Sequence, residues 1–285
     1  MSRKIIVIGA TGMLGQPVTR KLVEDNFEVT VFSSNRTKAE SVFGNSLPIV
    51  EGDVTKPETI KRALEGQDFV YINLSASLDA EKYKKIEIDG TANIAMAAKE
   101  AGVKKIANIS TALSRGVLGN DIYLNAKVEA ENAIIQSGVP YSIMRPSWFF
   151  NSLKYFYHEQ LGYHVIGEQK TKIGWLSDKD FASQVAKSFQ SNEADNKCFY
   201  NIGPQKMTIP EIVEKYCQLI KKEPPGYLTV DEAKKLAQKD GFGHYIRLIP
   251  FFEYISRSNE DVDPTESSKL LGENRITLEN WYGDK

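Results

Sequence analysis

The 285-residue chain has little that would tie it to a metal or to a disulfide framework. It carries two cysteines, Cys198 and Cys217, and three histidines, His158, His164 and His244. Neither type clusters, and no Cys-x-x-Cys spacing occurs, so the pattern argues against a zinc or iron–sulfur motif and no metal is expected. The two thiols fall in separate expected elements and read as buried core residues. An excess of one charge is lacking too. Lys and Arg number 36 against 37 Asp and Glu, for a net charge of −1, so no global field draws nucleic acid or an anionic membrane. Long apolar runs are missing as well. The apolar start "KIIVIGATGMLG" is broken by glycine and too short for a signal sequence or a bilayer span. The expectation is a cytoplasmic protein without nucleic-acid or membrane partners.

What is present is ordinary globular composition, 41% hydrophobic and 26% charged, in a length that suits one large domain with an appended lobe. Short apolar runs alternate with helical stretches up to about residue 203. The runs are "KIIVIGA", "FEVTVFS", "LPIVEGD", "DFVYINLS", "KKIANIS", "YSIMRPS" and "CFYNIG". Several are nearly continuous in Ile, Val and Phe, as strands covered on both faces should be. Between them, "QPVTRKLVEDN", "PETIKRALEG" and "TANIAMAAKEAG" read as helices. Gly in "EGQD" and "EAGVKK" stands just past a helix end, where a left-handed residue is needed. Such alternation implies right-handed crossovers and an α/β fold built on a doubly wound parallel sheet. After residue 203 the alternation stops. "MTIPEIVEKYCQLIKKE" and "TVDEAKKLAQK" read as helices, and "HYIRLIPFFEYI" as a helix broken at Pro250, together making a smaller C-terminal lobe.

Directly after the first run, Gly9, Gly12 and Gly15 stand three apart. At a strand-to-helix switch the first glycine permits a sharp turn. The second lets backbone approach a pyrophosphate, and the third lets the helix pack on its strand. Thr11, Met13 and Leu14 share this turn, and the helix N-terminus behind it would face the phosphates. The second run ends "VFSSNRTKAE". An acid there would bind the ribose 2′-hydroxyl of NAD. Ser33 and Ser34 take its place, followed by Asn35, Arg36 and Lys38, which leaves room for a 2′-phosphate and offers it a guanidinium. NADP(H) is therefore the preferred cofactor and NAD(H) the alternative, Arg36 and Lys38 being otherwise solvated loop charges. Asp53 and Val54, ending the third run, fall where adenine would lie, and Ser75 and Ala76, ending the fourth, where the nicotinamide ribose would.

These features resemble the short-chain dehydrogenase/reductase superfamily, and within it the atypical NmrA-like branch. The resemblance rests on "GATGMLG", "EGDVTKPETI", "IDGTANIAMAAKEAGVKKIANIST", "AKVEAENAIIQSGVPYSIMRPSWFFNSL" and "GPQKMTIPEIVEKYC". A weaker echo lies in "SSKLLGENRITLENW". It implies a Rossmann core over residues 1–150, with 171–203 returning to it. The smaller substrate-binding lobe would comprise 151–170 and 204–285. In catalytic members a Ser or Thr after the fifth strand works with a Tyr and a Lys four positions later. Here these match Thr111 (or Ser110), Tyr123 and Lys127, with Lys127 also reaching the nicotinamide ribose. Many NmrA-like proteins lack the Tyr; this chain keeps both.

The chemistry asks for such a pair. A tyrosine titrates near pH 10, and a lysine ammonium about 5 Å away at an effective dielectric of about 20 lowers that by about two pH units. One helical turn puts both side chains on one face. The competing readings are an ordinary Lys127–Glu131 contact and a packed Tyr123. "RPSWFFNSLKYFYHEQLGYH" is crowded with aromatics, among them Trp148, Phe149, Phe150, Tyr155, Phe156, Tyr157 and Tyr163. Trp148, Phe149 and Asn151 are the expected substrate contacts, unless the rings only pack the lobe. Arg145 is expected to order its loop rather than touch substrate. The resulting expectation is an NADP-dependent oxidoreductase, reductase or epimerase/dehydratase-like. Its substrate would be a small apolar or aromatic carbonyl compound. The alternative is a non-catalytic NAD(P)-sensing regulator with a protein partner.

Overall fold

Among the described residues twelve strands are defined, in chain order β1 (Lys4–Ile8), β2 (Glu28–Ser33), β3 (Ile49–Glu51), β4 (Phe69–Ile72), β5 (Lys105–Ile109), β6 (Tyr141–Pro146), β7 (Tyr157–His158), β8 (Gly162–Ile166), β9 (Ile173–Trp175), β10 (Lys197–Asn201), β11 (Gln205–Met207) and β12 (Gly226–Leu228). They come from a computed structural model that describes residues 3–76, 79–114, 122–239, 241–243, 245–256 and 260–284. His244 lies outside the described residues. Every apolar run read as a strand is one. Together they form a single seven-stranded sheet in the order β10-β6-β5-β4-β1-β2-β3, and each neighbouring pair is parallel. The chain winds outward from β1 to β3, then crosses to the other side of β1 at β4. That reversal leaves a crevice at the carboxyl ends of β1 and β4, where open α/β sheets bind ligands.

The crossovers are helical: α1 (Gly15–Glu24), α2 (Arg36–Phe43), α3 (Pro57–Leu64), a continuous run of α4 (Ala80–Lys82), a π-helical turn (Tyr83–Asp89) and α5 (Gly90–Glu100), then α6 (Ile122–Ser137) and α7 (Asp178–Ser188). Ile6, Ile8, Val70, Ile72 and Ile106 pack on one sheet face against Ile60 and Leu64 of α3, Ile94 and Ala98 of α5, and Ile134 of α6. Ile5 and Val7, fully buried, point by strand alternation to the opposite face. The expected stop glycines, Gly66 and Gly102, both have positive φ, at 72° and 70°. The helix expected over "TANIAMAAKEAG" begins about a dozen residues earlier than the sequence suggests, at Ala80.

At the amino end of the sheet Lys105 is 4% exposed. Its Nζ donates to the carbonyls of Ser188, at 2.6 Å, and Ser191, at 3.1 Å, and pairs with Asp195 at 2.5 Å. A buried ammonium survives there because carbonyls at and just past the end of α7 and a carboxylate supply its partners. Burial still pushes its pKa down. Of the two thiols, Cys217 is buried, whereas Cys198, on the edge strand β10, is only partly so.

The chain divides into two compact units. The first comprises Met1–Pro146, Asp178–Asn201 and Asp263–Glu273, and so holds the seven-stranded sheet and, with Asp263–Glu273, the helix Thr265–Leu271, which is α11 in chain order. The second comprises Ser147–Ser177, Ile202–Val262 and Asn274–Lys285. Residues 171–177 thus fall in the second unit, and Asp263–Glu273 returns to the first, unlike the boundaries read from the sequence. The second unit carries a three-stranded sheet, β12-β8-β7, and the antiparallel pair β11-β9. Its helices are α8 (Ile209–Leu219), α9 (Val230–Leu236), α10 (Tyr245–Ile255) and α12 (Leu278–Gly283). Thr208 with Glu211, and Thr229 with Glu232, close reciprocal capping boxes that fix where α8 and α9 begin. Helix α10 is not broken at Pro250 but runs through it. Ile249, Phe252 and Ile255, spaced three apart and all buried, hold both halves on one axis despite the lost N–H.

Glu260 is a buried acid of the second unit, 6% exposed. It accepts the Ser147 hydroxyl and, at 2.7 Å, the Gly174 amide. Burial raises its pKa against these hydrogen bonds. Where the folded pKa lies above the unfolded one, the native state holds the extra proton between the two values. Stability is then full below the unfolded pKa and is lost as pH rises through the folded one. Chemical denaturation across pH 4 to 8 should show this decline in the wild-type protein. Glu260→Gln should flatten that component of the profile.

Candidate active site

The glycine turn joins β1 to α1 through backbone contacts that exclude side chains. Gly9 has φ +84°, and a Cβ there would lie 2.1 Å from the Asn73 carbonyl oxygen. A Cβ on Gly15 would meet the Gly9 and Ala10 carbonyl oxygens at 2.2 and 2.8 Å. Gly12 differs. Its Cβ would meet nothing closer than 3.4 Å, ordinary contact, so the protein itself does not require glycine there. Asn73, just past β4, ties the two strand ends together by donating its Nδ2 to the Gly9 carbonyl at 3.2 Å. The N-terminus of α1 has no side-chain cap and no acid in its first turn. Apart from the Gln16 amide, which donates to the Gly12 carbonyl at 3.1 Å, the helix end and its partial positive charge are thus left for an anion. A cradle with space over Gly12 and an uncapped helix end fits a dinucleotide pyrophosphate.

Around β2 and β3 the expected residues are engaged locally. Asn35 caps α2 by accepting the Lys38 amide at 2.9 Å, and Ser33 exchanges hydrogen bonds with the Asn35 backbone. Ser34 is exposed. The Arg36 guanidinium donates to the Ile49 carbonyl at 2.7 Å and faces Glu40 at 3.3 Å and Glu51 at 3.9 Å. Asp53 accepts the Thr55 amide and hydroxyl at 2.9 and 2.8 Å, and the amide above all holds its pKa below the usual carboxylate range. Val54 packs in the core, and its carbonyl receives Asn93 Nδ2 at 3.0 Å.

Tyr123 and Lys127 do share one face of α6, with Lys127 Nζ 5.7 Å from the centre of the Tyr123 ring. Tyr123 is partly buried, edge-on to Tyr83 at 6.0 Å, and packs with Ala76 and Ala126. Lys127 is 7% exposed, and its partner is Glu87, 2.7 Å away, not Glu131. Glu131 is taken by Arg145, whose Nε donates to it at 3.0 Å and whose Nη1 reaches the Tyr200 hydroxyl at 3.3 Å. Arg145 therefore braces α6, β6 and β10. Glu87 also accepts the Ala76 amide at 2.7 Å, so Ala76 is held while Ser75 beside it is exposed. Thr111 accepts the Leu113 amide at 3.3 Å. Its neighbour Ser110, 4% exposed, has an Oγ without a hydrogen-bond partner among the described residues, as has the Nδ2 of buried Asn108.

Residues 9–192 match a family model described as NAD(P)H-binding. The chain belongs to this NAD(P)H-binding family. Among relatives, it is 27% identical over 219 residues to the photosystem II assembly factor Ycf39 of Trieres chinensis, covering 75% of this chain and 68% of that protein. It is 23% identical over 211 residues to an NAD(P)H azoreductase of Xenophilus azovorans, covering 73% and 71%. Among solved structures, the triphenylmethane reductase of Citrobacter sp., complexed with NADP(H), superimposes with a TM-score of 0.80 at 20% identity over 98% of this chain and 99% of that one. The likeness confirms the Rossmann-type fold.

In this NAD(P)H-binding protein the sequence reading missed two residues of the site. Asn73 gave no signal beyond its place after the fourth strand. Glu87 gave a faint one, an acid between Ile86 and Ile88 in a stretch otherwise rich in surface lysine. In the second unit Phe149 is 7% exposed, while Trp148 and Asn151 are half-buried. Trp148 packs against Trp175, Phe156 and Phe252 at 5.4 to 6.4 Å, so the aromatic segment is in large part internal packing.

The glycines separate fold from ligand. Gly12→Ala should leave the melting temperature within a few degrees of wild type and weaken NAD(P)H binding at least tenfold by fluorescence titration. Gly15→Ala should instead compromise folding itself, seen as lost soluble yield or a collapsed melting transition.

Proposed function

We propose that the protein is an NADPH-dependent reductase of NmrA-like type. Its acceptor would be a small apolar or aromatic compound of carbonyl or quinone type. The observation that carries this reading is the Tyr123–Lys127 pair on one face of α6, packed with Ala76 where the chain leaves β4. When bound, the reduced nicotinamide supplies a hydride to the acceptor carbon. Tyr123 would give its hydroxyl proton to the acceptor oxygen as the C=O bond becomes C–O, and then recover a proton from solvent. One carbonyl, one hydride and one proton thus yield one alcohol. Lys127 would hold the ribose hydroxyls, and Ser110 or Thr111 the acceptor oxygen; the unpartnered Ser110 hydroxyl has spare capacity for it.

NADPH is preferred because Ser33 and Ser34 put no acid at the end of β2. The NADP(H) bound to the Citrobacter reductase is consistent with that. Arg36 would have to exchange Glu40 and Glu51 for a 2′-phosphate, so it contributes only on reorientation. The resemblance to a photosystem II assembly factor favours a second reading, a cofactor-sensing protein that binds a partner when loaded with nucleotide.

Three measurements test these readings. Calorimetric titration should give tighter binding of NADPH than of NADH, and equal or tighter NADH binding would sink the preference. Screening quinones, carbonyl compounds and azo compounds should reveal NADPH oxidation, whereas nucleotide-dependent capture of a partner without turnover would favour the sensor. With an active acceptor in hand, Tyr123→Phe should lower kcat by about 10²- to 10⁴-fold with little change in NADPH affinity. Lys127→Ala should weaken both. A Tyr123→Phe variant turning over at the wild-type rate would remove Tyr123 from the chemistry.

A further inference from the structure

The ammonium of Lys127 is clamped from behind. Glu87 and Tyr83 are the buried residues of the π-helical turn between α4 and α5, and Glu87 is 2% exposed. One of its oxygens lies 2.7 Å from Lys127 Nζ and the other accepts the Ala76 amide at 2.7 Å. A single carboxylate therefore connects α6, the π-helical turn and the segment that follows β4. π-helical turns inside α-helices commonly mark functional positions, because the widened turn redirects side chains. Here it turns an acid inward from a helix whose other charges stay at the surface, where Lys82 pairs with Asp79 and Lys84 with Asp89.

We propose that Glu87 is the positioning residue of this site. It fixes Lys127 against the Ala76 backbone and cancels its charge. Lys127 then meets the cofactor as a hydrogen-bond donor within a neutral pair rather than as a net positive charge beside Tyr123. This rests on the reading of Tyr123 and Lys127 as the site and changes how the pair works. A lone ammonium would favour tyrosinate, whereas the field of an ion pair falls off faster with distance than that of a single charge. The remaining groups packed there do not replace Glu87. Glu131 on α6 is held by Arg145. The π-helical turn and α6 contribute Tyr83 and Tyr123, which carry no compensating negative charge at neutral pH. A lysine carries three donors, so two ammonium protons of Lys127 remain beside the one directed at Glu87.

Thermal melting and NADPH titration from pH 6 to 10 test this with Glu87→Gln, Lys127→Met and the double variant. Glu87→Gln strands a buried ammonium, so the melting temperature at pH 7 should fall by roughly 10 °C. An unpaired buried ammonium binds its proton more weakly than in the unfolded chain. The unfolded state then holds more protons, and the deficit should shrink as pH rises toward about 10. The double variant should melt above either single one, because each change removes the charge the other leaves unpaired. NADPH affinity in Glu87→Gln should fall as pH rises, where the wild-type profile stays flat. Glu87→Asp, which keeps the charge, should restore the flat profile and serves if Glu87→Gln does not fold. Additive, pH-independent losses, or a Glu87→Gln binding profile that superimposes on wild type, would overturn the proposal. Failure of the wild-type protein to bind NADPH would overturn the functional reading instead, while the melting cycle still reads the clamp without cofactor.

Discussion

The passage from β1 into α1 constrains everything around it. Three backbone segments, at Gly9, Gly15 and Asn73, meet at distances that a single added carbon would violate. Because they meet so closely, the carboxyl ends of β1 and β4 sit side by side and α1 starts directly over them. The order of the sheet reverses at the same place. Twist and hydrophobic burial build the sheet, but this approach decides where its open crevice lies and which helix end faces it. Gly12 is the exception that exposes the purpose: the protein leaves space there that its own packing does not need.

A second regularity concerns charge. The chain is nearly neutral overall, and among the described residues two buried cations and one partly buried cation are matched close at hand: Lys105 with Asp195, Lys127 with Glu87 and Arg145 with Glu131. Each pair joins elements far apart in sequence or on different layers, and each has further hydrogen bonds to backbone or a neighbouring hydroxyl. Buried pairs of this kind add little net stability over apolar residues, yet removing one member is costly. They act as registration pins. Two of the three fall on α6, the helix that also carries Tyr123, so the position of that helix is specified electrostatically as well as by packing.

Much of this was legible in the sequence, for physical reasons. Strands covered on both faces are apolar at nearly every position, so all seven runs of the central sheet stood out. The glycine triplet and the Tyr123–Lys127 spacing are local and therefore readable. Partnerships across the fold were not. Spacing alone offered Glu131 as the mate of Lys127, but Arg145 on β6, the strand that follows α6, claims it. Arg36 looked free for a phosphate because its engagement with the Ile49 carbonyl arises only when β3 pairs beside β2. Pro250 signalled a break that buried residues on either side override. Glu87 was hidden by its setting, one acid in a helix extension that resembles an exposed surface stretch.

The path of the chain through its two units has a consequence for how such a protein can diversify. The second unit is assembled from Ser147–Ser177, Ile202–Val262 and Asn274–Lys285, with stretches of the first unit between them. The edge strand β10, which completes the central sheet, is made only after part of the second unit has been synthesised. Neither unit exists as one continuous stretch of gene. Recombination therefore cannot lift out one lobe and replace it with another, as it can in chains whose domains follow one another like beads. New specificity in a lineage built this way has to accumulate by substitution and loop change in place, under the folding demands of both units at once.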